Sequence, residues 1–307
     1  WDIFKFKFKN ISNIFFISSL EETNLEKEIN KFRDYDTIIG LGGGQAIDIA
    51  KYFSWKCNLK LFQFPTSLSV DAVFGHRSGI RRNNIVNYIG WAKPECVFID
   101  YEVIMDAPLI FNHSGIGDVL CFYTGVLDWQ YAKDINKCET KWTYNSELAM
   151  KSLSYVDNLL KQSHHIKSLD QKGIDTIIQA HQWGGNSYFS SGWNPRHIEG
   201  IEHFFFYNLE LITKKKFIHG QPVCLGFILG CLLHSKYEDR FSNFFKDLQF
   251  DVRPKSMNIS WDEVDTCLKS LSDFVIKNNL WYGIANDFSY SKNILDKLIK
   301  TTNDIYN

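Results

Sequence analysis

The stretch Tyr35–Lys51, YDTIIGLGGGQAIDIAK, decides how the chain folds. A short apolar run from Thr37 to Leu41 meets three consecutive glycines, Gly42, Gly43 and Gly44. A helical pattern follows at once, with Ala46, Ile47, Ile49 and Ala50 apolar and Asp48 and Lys51 polar. This order predicts strand, tight turn and helix start. Glycine takes φ > 0 and lets a ligand approach the backbone unobstructed. The helix start offers unpaired N–H groups and the positive end of the helix dipole. Together they suit a pyrophosphate, whereas a plain βα turn would use the glycines for flexibility alone.

Before this stretch, residues 1–10 alternate Phe and Lys, and Ile14-Phe15-Phe16-Ile17 predicts a buried strand. Residues 21–33 predict an amphipathic helix with Leu25, Ile29 and Phe32 on one face. After it, Leu59 to Phe64 predicts a strand closed by Pro65, and Cys96 to Ile99 another closed by Asp100. Strands alternating with helices imply a parallel sheet with right-handed crossovers. Beyond about residue 104 the period changes. Helical patterns cover 118–135, 145–161, 173–186, 198–213, 221–237, 261–278 and 290–300. The expectation is an α/β dinucleotide-binding domain over 1–104 and an all-helical metal- and substrate-binding domain over 105–307.

Composition narrows the classes. The chain has 307 residues, 45% hydrophobic and 22% charged, which suits a globular protein of two domains. A net charge of −1 carries no nucleic-acid footprint. No run of about 18 apolar residues is present to span a bilayer. Seven Cys at irregular spacing, without C-x-x-C, read as reduced thiols, and a cytoplasmic location is expected.

The spacing GGG-x-x-x-D-x-A-K resembles the signature of a superfamily. It holds iron-containing alcohol dehydrogenases, glycerol dehydrogenase, sn-glycerol-1-phosphate dehydrogenase and 3-dehydroquinate synthase. Pro65-Thr66-Ser67-Leu68-Ser69-Val70-Asp71-Ala72 resembles the P-T-x-x-S-x-D-A/G loop of its glycerol and glycerol-1-phosphate branches. Three further motifs follow in the same order: Gly115-Ile116-Gly117-Asp118 after Ala107-Pro108, Gly200-Ile201-Glu202-His203, and His219-Gly220-Gln221-Pro222-Val223. Thr124 to Ala132 matches that branch's T-x-x-x-D-W-x-x-A run. On residues alone, Asp118 could be a helix cap and either histidine a satisfied core side chain.

The resemblance implies NAD or NADP held by Gly42, Gly43, Gly44, Asp48, Lys51, Thr66 and Ser67. It implies one divalent metal (Zn, Ni or Fe) on Asp118, His203 and His219, with Asp71 facing the substrate. The implied activity interconverts a small polyol, or polyol phosphate, and its ketone. sn-Glycerol 1-phosphate and dihydroxyacetone phosphate lead, and a homo-oligomer is left open. Arg196, His197 and the basic loop Arg77/Arg81/Arg82 are the cations offered for a substrate phosphate. Two departures stand out. The branch has Ser-His shortly after the metal-binding Glu-His, where this chain reads Phe204-Phe205-Phe206-Tyr207. Its S-R-P-A-S-G stretch appears here as Asn194 to Gly200.

The resemblance also implies a further βα unit ahead of Ile14. The nucleotide domain is therefore expected to be shortened at its start, with Trp1 to Phe8 covering a sheet edge and a weaker seat for adenosine. Two alternatives remain. One is a sugar-phosphate cyclase like 3-dehydroquinate synthase, disfavoured by Asp118 where that branch has Glu and by Cys121 and Phe122 where it has Lys. The other is a catalytically silent relative with a binding role.

Overall fold

The computed structural model describes residues 11, 13–82 and 85–306. Helix α1 (Glu22–Glu28) runs on as a 3-10 turn to Phe32 and buries Leu25 and Phe32. Strand β1 (Thr37–Gly42), helix α2 (Gly44–Cys57) and strand β2 (Lys60–Pro65) follow. Helix α2 ends on Asn58 at φ 54°, whose N–H returns to the Ser54 carbonyl. That left-handed residue stops the helix and turns the chain back into β2.

The hairpin β3 (Ser78–Arg82) and β4 (Ile85–Ile89) is antiparallel and separate from the main sheet. The sequence pattern did not single it out. Strand β5 (Cys96–Val97) completes a parallel sheet in the order β1-β2-β5. The register sets Gly42 beside Pro65 and Phe62 beside Cys96, so the glycine turn and the 66–71 loop leave the same sheet edge.

Ile14 to Ile17 is not a strand. Residues 13–20 join no ladder, and Phe16 is 82% exposed. Among the described residues β1 has only β2 for a neighbour, so its other edge is left open and this run does not add to it. Phe15 instead packs on Phe32 at 4.5 Å between ring centroids. The expected edge strand at Trp1–Phe8 lies outside the described residues.

No described residue after Val97 belongs to a strand. Helices α3 (Tyr101–Asp106) and α4 (Leu109–Ser114) are short. They are followed by α5 (Gly117–Asp134), α6 (Ser146–Lys161), α7 (Ser163–Ser168) and α8 (Gln171–Ser190). Next come α9 (Ile201–Thr213), α10 (Gly220–Leu233), α11 (Asp239–Leu248), α12 (Trp261–Lys277), α13 (Ile284–Asp287) and α14 (Lys292–Tyr306). Helix α10 is buried on every face from Gly220 to Cys231, and α9 from Ile201 to Glu210. Together with most of α5 they form the centre of the helical layer. A helix with no polar face has to be central, and the candidate metal ligands ride on these elements.

Candidate functional site

Strand β1 ends on Gly42 at φ +143°, a region open to glycine alone, and Gly43 precedes the first turn of α2. The Thr66 N–H closes onto the Gly42 carbonyl at 3.0 Å and ties the two strand ends together. A Cβ built on Gly43 would meet only Ser67 Oγ, at 3.6 Å, so its open side is the cavity. These features form a cradle for a phosphate group at a helix start. Asp48 and Lys51 do different work. Lys51 is buried, pairs with Asp48 at 2.8 Å, and donates to the carbonyls of Ala72, Gly75 and Arg77. Four oxygens saturate an ammonium with three protons. Lys51 thus pins the 71–77 loop and has no donor left for a cofactor.

Asp118 lies in the first turn of α5, His203 in the first turn of α9, and His219 immediately before α10. Ligand atoms of all three lie within 4.8 Å of one another. Asp118 Oδ1 is 2.8 Å from His219 Nε2 and 3.7 Å from His203 Nε2. Its other oxygen accepts from the Asp71 N–H at 2.9 Å. His219 is held by its neighbour. The Gly220 N–H donates to Ser114 Oγ at 2.8 Å, and a Cβ on Gly220 would lie 1.9 Å from the Ser114 carbonyl oxygen. Only glycine fits there.

Behind His203 sits Glu202, fully buried. Its carboxylate faces His203 Nδ1 at 3.1 Å and accepts from the Gly200 N–H at 2.6 Å and from Thr124 Oγ1. With Nδ1 so engaged, Nε2 is the nitrogen left for a ligand. Cys121 and Glu202 also approach His203 closely. That grouping is closed, because burial pushes the Cys121 thiol well up and its Sγ donates to the Ile198 and Asp118 carbonyls.

The electrostatics follow from burial and proximity. Burial works against the Asp118 carboxylate, yet His219 and His203 hold its pKa low. Asp71 goes the other way, raised by burial and by the charge of Asp118. Burial would lower His203, but Glu199, Glu202 and Asp118 raise it to about 9. One cavity of about 1040 Å³ is lined by Gly43, Gly44, Thr66, Ser67, Asp71 and the Asp118/His203/His219 group. An oxygen-and-imidazole donor set opening onto that cavity fits a divalent metal.

Arg196 and His197 are not in this cavity, which corrects the expectation for a phosphate site. Arg196 is fully buried. Its guanidinium serves the carbonyls of Tyr282 and Asp128 and sits 3.7 Å from Glu139. His197 is bonded to Ser187 Oγ at 2.8 Å and lies between Trp129 and Trp183. Both sit in a short segment that must satisfy its own polar groups against helix ends. A part of the cavity wall the sequence reading missed is Glu199 and Tyr88, with Tyr207 behind them. Tyr207 donates to Glu199 at 2.8 Å and is hydrogen-bonded to Tyr88. The signal was present in the two segments that depart from the resembled branch, Asn194 to Gly200 and Phe204 to Tyr207.

The family model described as iron-containing alcohol dehydrogenase matches residues 10–108. Over those residues the chain resembles that family. It is 30% identical over 229 residues to glycerol-1-phosphate dehydrogenase [NAD(P)+] of Aeropyrum pernix, covering 75% of this chain and 64% of that protein. A second relative of the same name, from Sulfurisphaera tokodaii, is 28% identical over 93% of this chain and 79% of its own length. The chain spans under two thirds of the first relative's length. Its fold is shared with a probable glycerol dehydrogenase from Sinorhizobium meliloti (TM-score 0.72, 15% identity, 95% of this chain and 84% of that one). The glycerol dehydrogenase of Schizosaccharomyces pombe gives a TM-score of 0.69 at 19% identity, over 96% of this chain and 76% of that one.

Proposed function

We propose that the chain is a metal-dependent, NAD(P)-linked oxidoreductase that interconverts sn-glycerol 1-phosphate and dihydroxyacetone phosphate. The observation that carries this reading is the approach of Asp118, His203 and His219 within 4.8 Å on the wall of the cavity that Gly43 faces. The names of the relatives in two archaea support the substrate class. With the metal and nicotinamide cofactor bound, the site gains Lewis acidity toward a substrate oxygen and a hydride donor.

The chain's own residues do the rest. Asp118, His203 and His219 hold the metal, and Glu202 fixes the imidazole of His203. Gly42, Gly43, Gly44, Thr66 and Ser67 seat the dinucleotide. Asp71, raised above the usual carboxylate range by burial and the Asp118 charge, is placed to hold or release a proton at the substrate. Phe206 and Trp281 line the same cavity and keep water from it. In this reading the dinucleotide falls to residues before about 104, the metal to those after, and the substrate lies between them with Asp71 on the first side.

The test follows NADH and NADPH oxidation with dihydroxyacetone phosphate, dihydroxyacetone and other small ketones, with added Zn²⁺ or Ni²⁺. Metal-dependent turnover that is lost in His219→Ala is expected. Metal-loaded protein that turns over none of these ketones refutes the reading. Among the described residues no helix is long and apolar enough to cross a membrane.

A further inference from the structure

Six carboxylates line the cavity: Asp48, Asp71, Asp106, Asp118, Glu199 and Glu210. A phosphate ester entering there needs a cation free to meet it. Lys51 is saturated, as shown above. Arg81 is spent on Glu210. Arg77 is the remaining Lys or Arg lining the cavity, and it has no carboxylate partner among the described residues.

Its guanidinium is nevertheless held. Nη1 donates to the Tyr88 carbonyl at 3.3 Å, and the group lies 4.4 Å from the ring centroid of Trp193. Trp193 adopts φ +60°, a region a bulky residue enters only under constraint. The rings of Tyr188 and Phe189, at 5.2 and 5.1 Å, keep it there. Arg77 Nε is buried and has no hydrogen-bond partner among the described residues. A buried charged donor left unpaired is costly, and strain spent to position its stacking partner is a second cost at the same spot. Both are recovered if a ligand supplies the acceptor. With Nη1 on the Tyr88 carbonyl and the group over the Trp193 ring, the other N–H groups of the planar fork remain as donors of the kind that take phosphate oxygens.

We propose that Arg77, clamped on Trp193, binds the phosphate group of the substrate and thereby selects a polyol phosphate over the free polyol. This rests on the function proposed above. The phosphate chemistry is shared with the dinucleotide, so the test separates the two sources. sn-Glycerol 1-phosphate, glycerol, NADH and NADPH are each titrated calorimetrically into the Zn²⁺-loaded full chain and its Arg77→Gln and Arg77→Lys variants.

In Arg77→Gln the affinity for sn-glycerol 1-phosphate is expected to fall about 30- to 100-fold, the loss of a charged hydrogen-bonding partner. The preference for dihydroxyacetone phosphate over dihydroxyacetone in kcat/KM falls by the same factor. Arg77→Lys, with the charge but not the planar fork, recovers part of it. Unchanged sn-glycerol 1-phosphate affinity, an equal loss on both ketones, or a loss confined to NADH or NADPH overturns the assignment. Arg77-dependent sn-glycerol 1-phosphate binding without turnover of either ketone refutes the dehydrogenase reading and leaves the phosphate site standing.

Discussion

Glu202→Gln tests whether the proposed metal site depends on the shell behind it. The Glu202 carboxylate is fully buried and meets three groups: the Gly200 N–H, Thr124 Oγ1 and His203 Nδ1. A glutamine has one acceptor oxygen and two amide protons in nearly the same volume. The amide oxygen can keep Gly200 and His203 while the NH2 faces Thr124 Oγ1, a hydroxyl able to accept, so what disappears is the charge that fixes the Nδ1–H tautomer of His203. His203 Nε2 is then free to turn from the point it shares with Asp118 and His219. Removing a carboxylate behind a ligating histidine weakens metal binding about 10- to 100-fold. That range corresponds to about 1.4–2.8 kcal/mol. The assay is competition for Zn²⁺ against a chromophoric chelator, with a melt to verify that the variant is folded. Cys121→Ala belongs beside it, since the buried thiol is bound to carbonyls and its loss should leave zinc affinity unchanged. Wild-type affinity in folded Glu202→Gln would refute the idea that Glu202 orients His203, and lost affinity in Cys121→Ala would move the site to the closed grouping.

Gly43→Val should weaken NADH binding at least about tenfold, because the branched side chain fills the phosphate space at the helix start while meeting only Ser67 within the protein. Unchanged NADH affinity by fluorescence titration contradicts the cradle. Glu199→Gln and Tyr207→Phe should be non-additive in urea denaturation, with a coupling of about 1 kcal/mol, because the hydroxyl and carboxyl serve each other. Additive losses would show the pair to be incidental. Stability should fall as pH drops below about 6.5, the unfolded histidine value, at up to about 1.4 kcal/mol per unit from His197 alone. Burial holds His197 down to about 3, so it stays neutral in the fold while the unfolded chain takes up the proton. His76, His113 and His181 are lowered by burial and add in the same direction. His203, raised to about 9, contributes on the other side, where its stabilisation is lost as pH rises through that value. Asp71, raised by burial and the Asp118 charge, opposes this limb, so a slope between pH 6.5 and 5 that is unchanged in His197→Asn refutes the reasoning.

What could be read in the sequence depended on how local its cause was. The glycine turn was legible because three small residues between a strand run and a helix run admit few conformations. Asp118, His203 and His219 were legible as motifs, though nothing in their spacing said that α5, α9 and α10 would meet. That meeting depends on long-range packing, such as the approach of Gly220 to Ser114. Ile14 to Ile17 was misread because strand propensity says nothing about whether a neighbouring strand is present to pair. Arg196 was misread for a related reason: a cation in a motif does not reveal whether its partners are carbonyls or a ligand. Helix α11 was overlooked although Phe241, Phe244, Phe245 and Leu248 line one face of it. Arg77 is the converse case. It was offered beside Arg81, Arg82, Arg196 and His197, and only the folded chain shows which of them are already engaged.

The same folded arrangement explains why one carboxylate can serve two sites. Asp118 Oδ1 faces the two histidines, while Oδ2 accepts the Asp71 N–H from the loop that leaves β2. That loop begins with Thr66 and Ser67, beside the glycine turn, and is pinned at its far end by Lys51 on α2. The metal-side helix and the nucleotide-side helix therefore hold the same short loop, one at Asp71 and the other from Ala72 to Arg77. A ligand that shifts Asp118 acts on the backbone of the loop carrying Asp71 and Arg77, and a ligand seated on Ser67 acts back on Asp118. Such coupling is reciprocal by necessity. It gives a physical reason for the proposed site to draw Thr66, Ser67, Asp71 and Arg77 from one segment of twelve residues, Thr66 to Arg77.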